Sequence, residues 1–200
     1  MTPKLKRRLS VSAFVFAAIV ASSIFYVRTY PLVFNESFFA HAHCMKGGGL
    51  DLMGYAHAHG GHFPFHTNGY GDALVLVNNG WDAALTGPGY DMRVFDRVRK
   101  TGEDAPESEF GRVYVQGLSN KDDPEIAILF DKLPTPGGDH CHFFRRMVAP
   151  LGREVWTIGS AMRFIPESRW PVFAKEQVEL LVTAGVARAQ AEKYYSESPR

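Results

Sequence analysis

The chain has 200 residues, of which 46% are hydrophobic, and its 22 Lys and Arg residues against 21 Asp and Glu residues give a formal net charge of +1. This length suits one domain of ordinary size with a short additional segment, and it is too short for two domains with separate cores. The balanced charge provides no basic field to attract a polyanion, so nucleic acid is not an expected partner.

A basic cluster followed by an apolar run opens the sequence. Residues 1–8 contain four basic side chains, and residues 9–27 carry no charge, proline or glycine. A helix over 9–27 is nearly as long as the hydrocarbon core of a bilayer, roughly 30 Å. We therefore predict a transmembrane signal-anchor helix at 9–27, with residues 1–8 in the cytoplasm, because basic residues stay on that side.

Two other interpretations of this segment stay open. Val20, Ala21 and Ser22 provide small residues for signal-peptide cleavage, and an apolar helix is also found buried in soluble cores. A type IV prepilin leader is not indicated, since the first glycine is Gly47. On the favoured interpretation the protein is single-pass in the cytoplasmic (inner) membrane, and residues 35–195 form a periplasmic or otherwise extracytoplasmic domain.

A helix is predicted from Asn35 to about His59, where apolar and small residues recur at three-to-four spacing. Gly47, Gly48 and Gly49 lie in its middle, and each glycine weakens a helix by roughly 1 kcal/mol relative to alanine. We interpret these glycines as a place where the backbone approaches a sheet closely.

Three short runs rich in β-branched and aromatic residues predict strands. They lie at residues 73–77, 112–116 and 126–130. The clearest element is a hairpin over residues 154–165, in which Gly159-Ser160 predicts a two-residue type II′ turn. Helical spacing returns from Trp170 and again from Thr183 to about Tyr194. This order of elements predicts an α+β fold in which an N-terminal helix packs on an antiparallel sheet.

Three stretches after Phe38 carry a family resemblance. The first is the helix that contains Cys44 and ends in a His-Gly step and Phe63-Pro64, the second is the pair of strands at 113–118 and 125–132, and the third is the hairpin at 153–164. Together they resemble the pseudopilin-like proteins of planctomycetes and related bacteria that carry an H-x9-D-G motif.

The resemblance implies a transmembrane helix that continues into a long helix packed on a small antiparallel sheet, with a C-terminal helix. It implies no enzyme activity. Two family features are replaced here, since Gly159-Ser160 stands where the family has its Asp-Gly turn and Ala149 stands at the position of the motif histidine.

All eight histidines fall in three short segments, and imidazole is a natural ligand of zinc or copper. The candidate metal ligands are His41, His57, His59, His62, His140 and His142. None of their spacings matches an established zinc pattern. The alternatives are that these histidines cap a helix end, satisfy loop backbone groups, face solvent or sense pH.

Cys44 and Cys141 are the two cysteines, and in an oxidising compartment they are candidates for a disulfide bridge. A bridge that closes a loop of about a hundred residues would contribute about 4 to 5 kcal/mol in the chain-entropy model. Two free thiols, or metal ligation by both cysteines, are the alternatives.

No motif for nucleophilic catalysis or for a nucleotide cofactor is present, so no catalytic or cofactor-binding residue is predicted. Our first hypothesis is a membrane-anchored, extracytoplasmic, pseudopilin-like structural or interaction protein without a cofactor. The alternative is a His- and Cys-rich protein that binds or depends on zinc or copper. The expected partners are the membrane, through residues 9–27, and another protein or a second copy of the chain.

Overall fold

The computed structural model describes residues 15–23, 45–77, 110–137 and 149–196. The chain divides into two compact units, Met1–Phe38 and Phe39–Arg200. In the first unit residues 15–23 are helical and exposed. The second unit contains an antiparallel sheet and four further described helices, so its fold is α+β.

The predicted N-terminal transmembrane helix that continues into a long helix on the sheet is wrong. Within the described ranges, no helix has both the length and the apolar character that crossing a bilayer requires.

A five-stranded antiparallel sheet forms the centre of the second unit. Its strands are β1 (Arg112–Tyr114), β2 (Ala127–Asp131), β3 (Thr135–Pro136), β4 (Leu151–Thr157) and β5 (Met162–Pro166). β4 is central, since it pairs with β2, β3 and β5, while β1 pairs with β2. The strands predicted at 112–116 and 126–130 are confirmed as β1 and β2.

The predicted hairpin is confirmed as β4 and β5, but its turn is not the predicted type II′ turn. The Ser160 N–H donates to the Thr157 carbonyl at 2.9 Å, and the Thr157 N–H donates to the Ala161 carbonyl at 3.0 Å. Ser160 has a φ of 60°, so the left-handed residue is the serine and not Gly159. The loop is therefore a type I turn followed by a left-handed residue, the usual three-residue hairpin connection.

Ser160→Gly is expected to raise the free energy of unfolding by about 0.5 kcal/mol. The left-handed conformation costs a side chain about 1 kcal/mol, and the larger chain entropy of glycine in the unfolded state offsets part of the gain. Urea unfolding measures the difference. The control is Ser168→Gly, the same exchange at an exposed residue whose φ is not positive, which should destabilise slightly. Equal effects at the two positions would contradict this account of the turn.

The first helix of this unit, α1 (Met45–Ala58), packs against β2 and β4. The part of the predicted helix before Met45 lies outside the described residues. At Gly49 a Cβ would lie 2.1 Å from Trp156 Cδ2, so the helix backbone lies directly on the indole ring. The interpretation of the glycines as a close approach to a sheet is confirmed at Gly49.

A second helix, α2 (Tyr70–Val75), occupies the region where a strand was predicted at 73–77, so that prediction is wrong. A short apolar run fits either element by periodicity alone. The burial decides for a helix, because it falls at i, i+3, i+4 and i+7. The buried apolar residues are Tyr70, Ala73, Leu74 and Val77.

Two C-terminal helices confirm the predicted helical segments: α3 (Trp170–Thr183) and α4 (Arg188–Ser196). On β2, Phe130 stacks on Tyr195 of α4 with ring centroids 4.7 Å apart. Its neighbour Leu129 pairs with Trp156, which contacts α1. Since successive strand residues point to opposite faces, α1 covers one face of the sheet and the C-terminal helices cover the other.

α3 ends in a Schellman motif that turns the chain into α4. Gly185 has a φ of 94°, and its N–H donates to the Val182 carbonyl at 3.0 Å. The Val186 N–H donates to the Leu181 carbonyl at 2.9 Å. Both bonds belong to this motif, in which glycine takes the left-handed position without steric cost. The position of the α3–α4 turn is thereby fixed.

Gln177, which is 3% exposed, joins α3 to the beginning of β2. Its Oε1 accepts from the Ala127 N–H at 2.8 Å, and its Nε2 donates to the Glu125 carbonyl at 3.1 Å. The register between β2 and β4 shifts between Ala127 and Leu129. The amide therefore provides a partner for a backbone N–H beside this irregularity, where the ladder is locally disrupted.

Candidate functional site

The predicted metal ligands within the described ranges lie at the end of α1 and in the loop that follows. His57, His59 and His62 are all exposed. His57 and His59 are two positions apart, so they point in different directions from a helix. In the described part of the chain, no group of three or more His, Cys, Asp and Glu side chains is placed to hold a metal ion.

His59 caps the end of α1. Its Nδ1 lies 2.8 Å from the Tyr55 carbonyl oxygen, and its ring stacks on the Tyr55 ring with centroids 3.8 Å apart. The Tyr55 carbonyl also accepts from the His59 backbone N–H at 3.0 Å, so the imidazole provides a second donor to the same oxygen at the helix end. The alternative in which these histidines cap a helix end is confirmed for His59.

The other predicted site residues lie outside the described ones. They are His41, His140, His142, Cys44 and Cys141. The zinc or copper site therefore stays a prediction. The same holds for the bridge between the two cysteines and for its alternatives.

The loop after α1 lies along the segment that contains and follows β1. Four hydrogen bonds of 2.7 to 3.1 Å join the two segments. The bonded residues are Gly61 and Asn120, Phe63 and Leu118, Pro64 and Tyr114, and His66 and Gln116. Because bonds lie both before and after Phe65, the backbone of this residue is held on the protein surface.

The Phe65 side chain is exposed at the surface, with 56% of its area accessible. Its ring lies beside Gly117, where a Cβ would be 3.8 Å from Phe65 Cδ2. The ring therefore lies near Gly117 and keeps much of its surface open to solvent. Large exposed aromatic side chains are common at binding sites.

Phe65 borders a groove of about 500 Å³, which we name the polar groove. The groove lies between the loop after α1, the residues after β1, the α3–α4 turn and α4. Its volume falls within the range of about 300 to 1,000 Å³ that is usual for small-molecule sites. It is lined by Phe65, Thr67, Asn68, Gly69, Tyr70, Gln116, Gly117, Ala184, Gly185, Val186, Ala187, Gln190, Lys193 and Tyr194.

The lining of the polar groove is mostly neutral. Asn68, Gln116 and Gln190 contribute amides, and Thr67 contributes a hydroxyl. Lys193 is the one cationic side chain in this described lining, which contains no carboxylate. The Gln116 Nε2 and the Gln190 amide have no hydrogen-bond partner among the described residues. These amide groups are therefore available to a ligand.

Three side chains form a hydrogen-bonded cluster at the edge of the polar groove. The Asn68 N–H donates to His66 Nδ1 at 3.2 Å, and Asn68 Nδ2 donates to Asp72 Oδ2 at 2.9 Å. His66 Nδ1 is also 3.3 Å from Asp72 Oδ2. A ring nitrogen that accepts a hydrogen bond carries no proton. His66 Nδ1 therefore cannot donate to Asp72 while it accepts from the Asn68 N–H. The cluster fixes the orientation of the Asn68 amide.

The most deeply buried charges lie inside the core, away from the polar groove. Arg112 Nε donates to Asp131 Oδ1 at 2.9 Å, and these side chains are 1% and 0% exposed. The Glu154 N–H donates to the other Asp131 oxygen at 3.0 Å. Asp131 therefore links β1, β2 and β4.

Arg153 joins the sheet to α3. Its guanidinium donates to Glu167 at 3.0 and 3.1 Å and to the Lys132 carbonyl at 2.6 Å. The same group lies 4.4 Å from the Trp170 ring centroid, within the range of a cation–π interaction. These contacts give Arg153 a structural role.

Two buried tyrosines differ in how their hydroxyls are satisfied. The Tyr114 hydroxyl donates to the Pro64 carbonyl at 2.8 Å. Burial, with smaller contributions from Tyr194 and Tyr55, raises the pKa of Tyr114 well above its ordinary value of 10.0. Burial also raises the pKa of Tyr195, whose hydroxyl has no hydrogen-bond partner among the described residues.

Tyr195→Phe is expected to raise the free energy of unfolding by about 1 kcal/mol, because it removes a buried hydroxyl that lacks a partner. Tyr114→Phe is expected to lower it by about 1 to 2 kcal/mol, because the buried Pro64 carbonyl loses its donor. Urea unfolding at pH 7 measures both. Changes of the same sign in the two variants would contradict this difference between the hydroxyls.

The same two variants should change the stability at high pH. Both tyrosines keep their protons in the folded chain above pH 10, while in the unfolded chain they ionise near 10. Their stabilising contribution is complete below pH 10 and is lost as the pH rises further. Each Phe replacement should make the decline above pH 10 shallower by about 1.4 kcal/mol per pH unit. An unchanged slope would contradict the raised pKa values.

No protein-family model, curated protein or solved structure matches the chain. The similarity to the H-x9-D-G pseudopilin-like proteins therefore stays a prediction from the sequence. Phe65, Gln116 and Gln190 were not predicted from the sequence as site residues. Phe65 carried one usable signal, since it is an aromatic residue in a loop bounded by proline and glycine.

Proposed function

We propose that the chain is a structural or interaction protein that presents a binding surface outside the cytoplasm, as its resemblance to pseudopilin-like proteins suggests. Phe65 is the observation that carries this proposal. Its side chain is 56% exposed, while the backbone on both sides of it is hydrogen-bonded to the segment around β1. Because this part of the backbone is already held in place, binding of a partner costs little further backbone entropy.

Polar side chains elsewhere in the described fold are bonded within the protein, whereas those of the polar groove have unused groups, and this difference supports a role in binding. Asp131 and Arg153 bind other side chains and carbonyls of the core. His59 caps α1. The unused hydrogen-bonding groups of Gln116 and Gln190 are found instead in the polar groove, next to Phe65. The groove and Phe65 together combine an aromatic ring with several hydrogen-bonding groups, and both kinds of group occur in ligand sites.

The extracytoplasmic part of the proposal is based on the basic residues 1–8 and the apolar run after them, a pattern typical of export signals. Localisation to the inner membrane, contact of residues 9–27 with lipid, and a protein partner or homo-oligomer stay predictions.

Photo-cross-linking in cells tests the proposal. A photoreactive phenylalanine analogue is placed at residue 65 of the full chain, and the matched control carries it at Val172, which is 61% exposed and does not line the polar groove. We expect an illumination-dependent product of defined mass at position 65 and none at 172. The absence of a product at 65, or the same product at both positions, would contradict an interaction surface at the groove.

A further inference from the structure

We infer that the polar groove binds a neutral saccharide. The inference rests on the proposed interaction function and names the chemical class of ligand for the same surface. It follows from three properties of the groove: an exposed aromatic ring, neutral hydrogen-bonding groups beside it, and a described lining that contains no carboxylate and a single cationic side chain.

The exposed ring provides a surface for the apolar face of a sugar. Several C–H groups of a pyranose lie on one side of the ring and pack against aromatic carbon atoms, while its hydroxyls point outward at the edge. Phe65 is 56% exposed, and its ring lies beside Gly117. The backbone on both sides of Phe65 is hydrogen-bonded and does not have to be ordered on binding, which limits the entropic cost.

The hydrogen-bonding groups of the groove match hydroxyls. Gln116 uses its Oε1 to accept from the His66 N–H, which leaves its Nε2 as a donor. Asn68 uses its Nδ2 to donate to Asp72, which leaves its Oδ1 as an acceptor. Gln190 offers both kinds of group. Each sugar hydroxyl donates and accepts, so it can bond to neighbouring amide donors and acceptors at once.

The charges of the groove disfavour an ionic ligand. No carboxylate is present in its described lining, so a cation has no counter-charge there. Lys193 is the one cationic residue of the described lining, and the other polar side chains there are neutral. A neutral ligand requires no buried ion pair and avoids the desolvation penalty of one.

A peptide fits these observations less well. Peptide recognition typically uses an exposed strand edge, a long apolar groove or a cluster of arginines. The described polar groove is lined by loop, turn and helix residues, and it contains no arginine. Its amides are spread around a compact volume of about 500 Å³, which suits one to a few sugar units better than an extended chain.

Binding of defined oligosaccharides to the full chain tests the inference. The neutral probes are chitotetraose, cellotetraose and maltotetraose, the charged probe is 3′-sialyllactose, and the peptide probe is N-acetyl-tetraalanine amide. Titration calorimetry and saturation-transfer NMR measure the affinity. We expect at least one neutral tetrasaccharide to bind and neither the charged probe nor the peptide to bind as tightly.

Substitutions inside and outside the polar groove test whether the saccharide binds there. Phe65→Ala and Gln190→Ala should each weaken saccharide binding at least tenfold, whereas Phe65→Tyr should retain it because the ring stays. Val172→Ala removes an exposed apolar side chain outside the groove and should leave binding unchanged. Since Phe65 and Gln190 are exposed, the unfolding midpoints of these variants should stay close to that of the original chain.

The outcomes separate this inference from the proposed function. Binding of none of the three neutral probes, tighter binding of 3′-sialyllactose or of the peptide, or equal loss in Val172→Ala would overturn the saccharide inference. A cross-linked product at position 65 together with any of these results would leave the interaction function standing with another ligand. Saccharide binding that depends on Phe65 would support both the saccharide inference and the proposed interaction function.

Discussion

Gly49→Ala is expected to lower the free energy of unfolding by about 3 kcal/mol or more. The added methyl group would lie 2.1 to 2.5 Å from three ring atoms of Trp156, well inside van der Waals contact. Overpacking of a core commonly costs 1 to 3 kcal/mol, and this ring cannot turn away because it is buried between α1 and the sheet. Urea unfolding measures the loss.

Gly54→Ala is the matched control, because it makes the same exchange in the same helix. Nothing lies within 4 Å of the Cβ that would be added at Gly54. The exchange should therefore raise the free energy of unfolding by about 0.5 to 1 kcal/mol through helix propensity alone. Stabilisation by alanine at both positions would contradict the close approach of Gly49 to Trp156.

A second change shows whether the clash itself causes the loss. Trp156→Leu shortens the side chain below Gly49 and leaves space for a methyl group. The combined Gly49→Ala and Trp156→Leu variant should lose less stability than the sum of the two single changes. Additive losses would show that the methyl group and the indole do not compete for the same space.

The features that were predicted correctly are determined by residues that lie close together in the sequence. The β4–β5 hairpin follows from alternation on either side of a short turn, and the positions of α3 and α4 follow from helical spacing. The glycines at 47–49 indicated a close approach because their propensity is too unfavourable for an ordinary helix. A run of residues with low helix propensity inside a helix indicates that something packs closely there. It does not indicate which residue does so, which here is Trp156.

The errors arose where short patterns allow two structures. Residues 73–77 form a continuous apolar run that fits a buried strand or one helical turn equally well, and the burial of Tyr70 outside that window favours the helix. At the hairpin, Gly159-Ser160 suggested glycine as the left-handed residue, but the loop is one residue longer and Ser160 takes that conformation.

The polar groove was not predictable in this way, because its lining comes from distant parts of the chain. Phe65, Gln116 and Gln190 become neighbours through the pairing of the loop with the segment around β1 and through the turn at Gly185. The histidines attracted attention because their chemistry is recognisable in isolation. An amide or a phenylalanine gains a binding role only from its position, which requires the fold.

Asp131→Ala is expected to lower the free energy of unfolding by about 3 to 5 kcal/mol. The change removes the oxygen that accepts from Arg112 Nε and the oxygen that accepts from the Glu154 N–H, at 2.9 and 3.0 Å. It removes the Asp131 carboxylate from a guanidinium that is 1% exposed. Breaking a buried pair from one side is costly because the remaining charge cannot regain its water. Asp131→Asn keeps an acceptor and should lose less, so it measures the effect if the alanine variant does not fold.

The exposed pair of Glu179 and Arg188 is the control, because its two hydrogen bonds of 2.8 Å are as short as those of Asp131 but its side chains are 55% and 51% exposed. Glu179→Ala should leave the stability close to that of the original chain, since water replaces the lost partner. In the core, Arg112→Leu combined with Asp131→Leu should recover part of the loss of Asp131→Ala, because the two opposite charges are then removed together. Similar losses in Glu179→Ala and Asp131→Ala would contradict the argument, because burial and not bond length is the proposed cause.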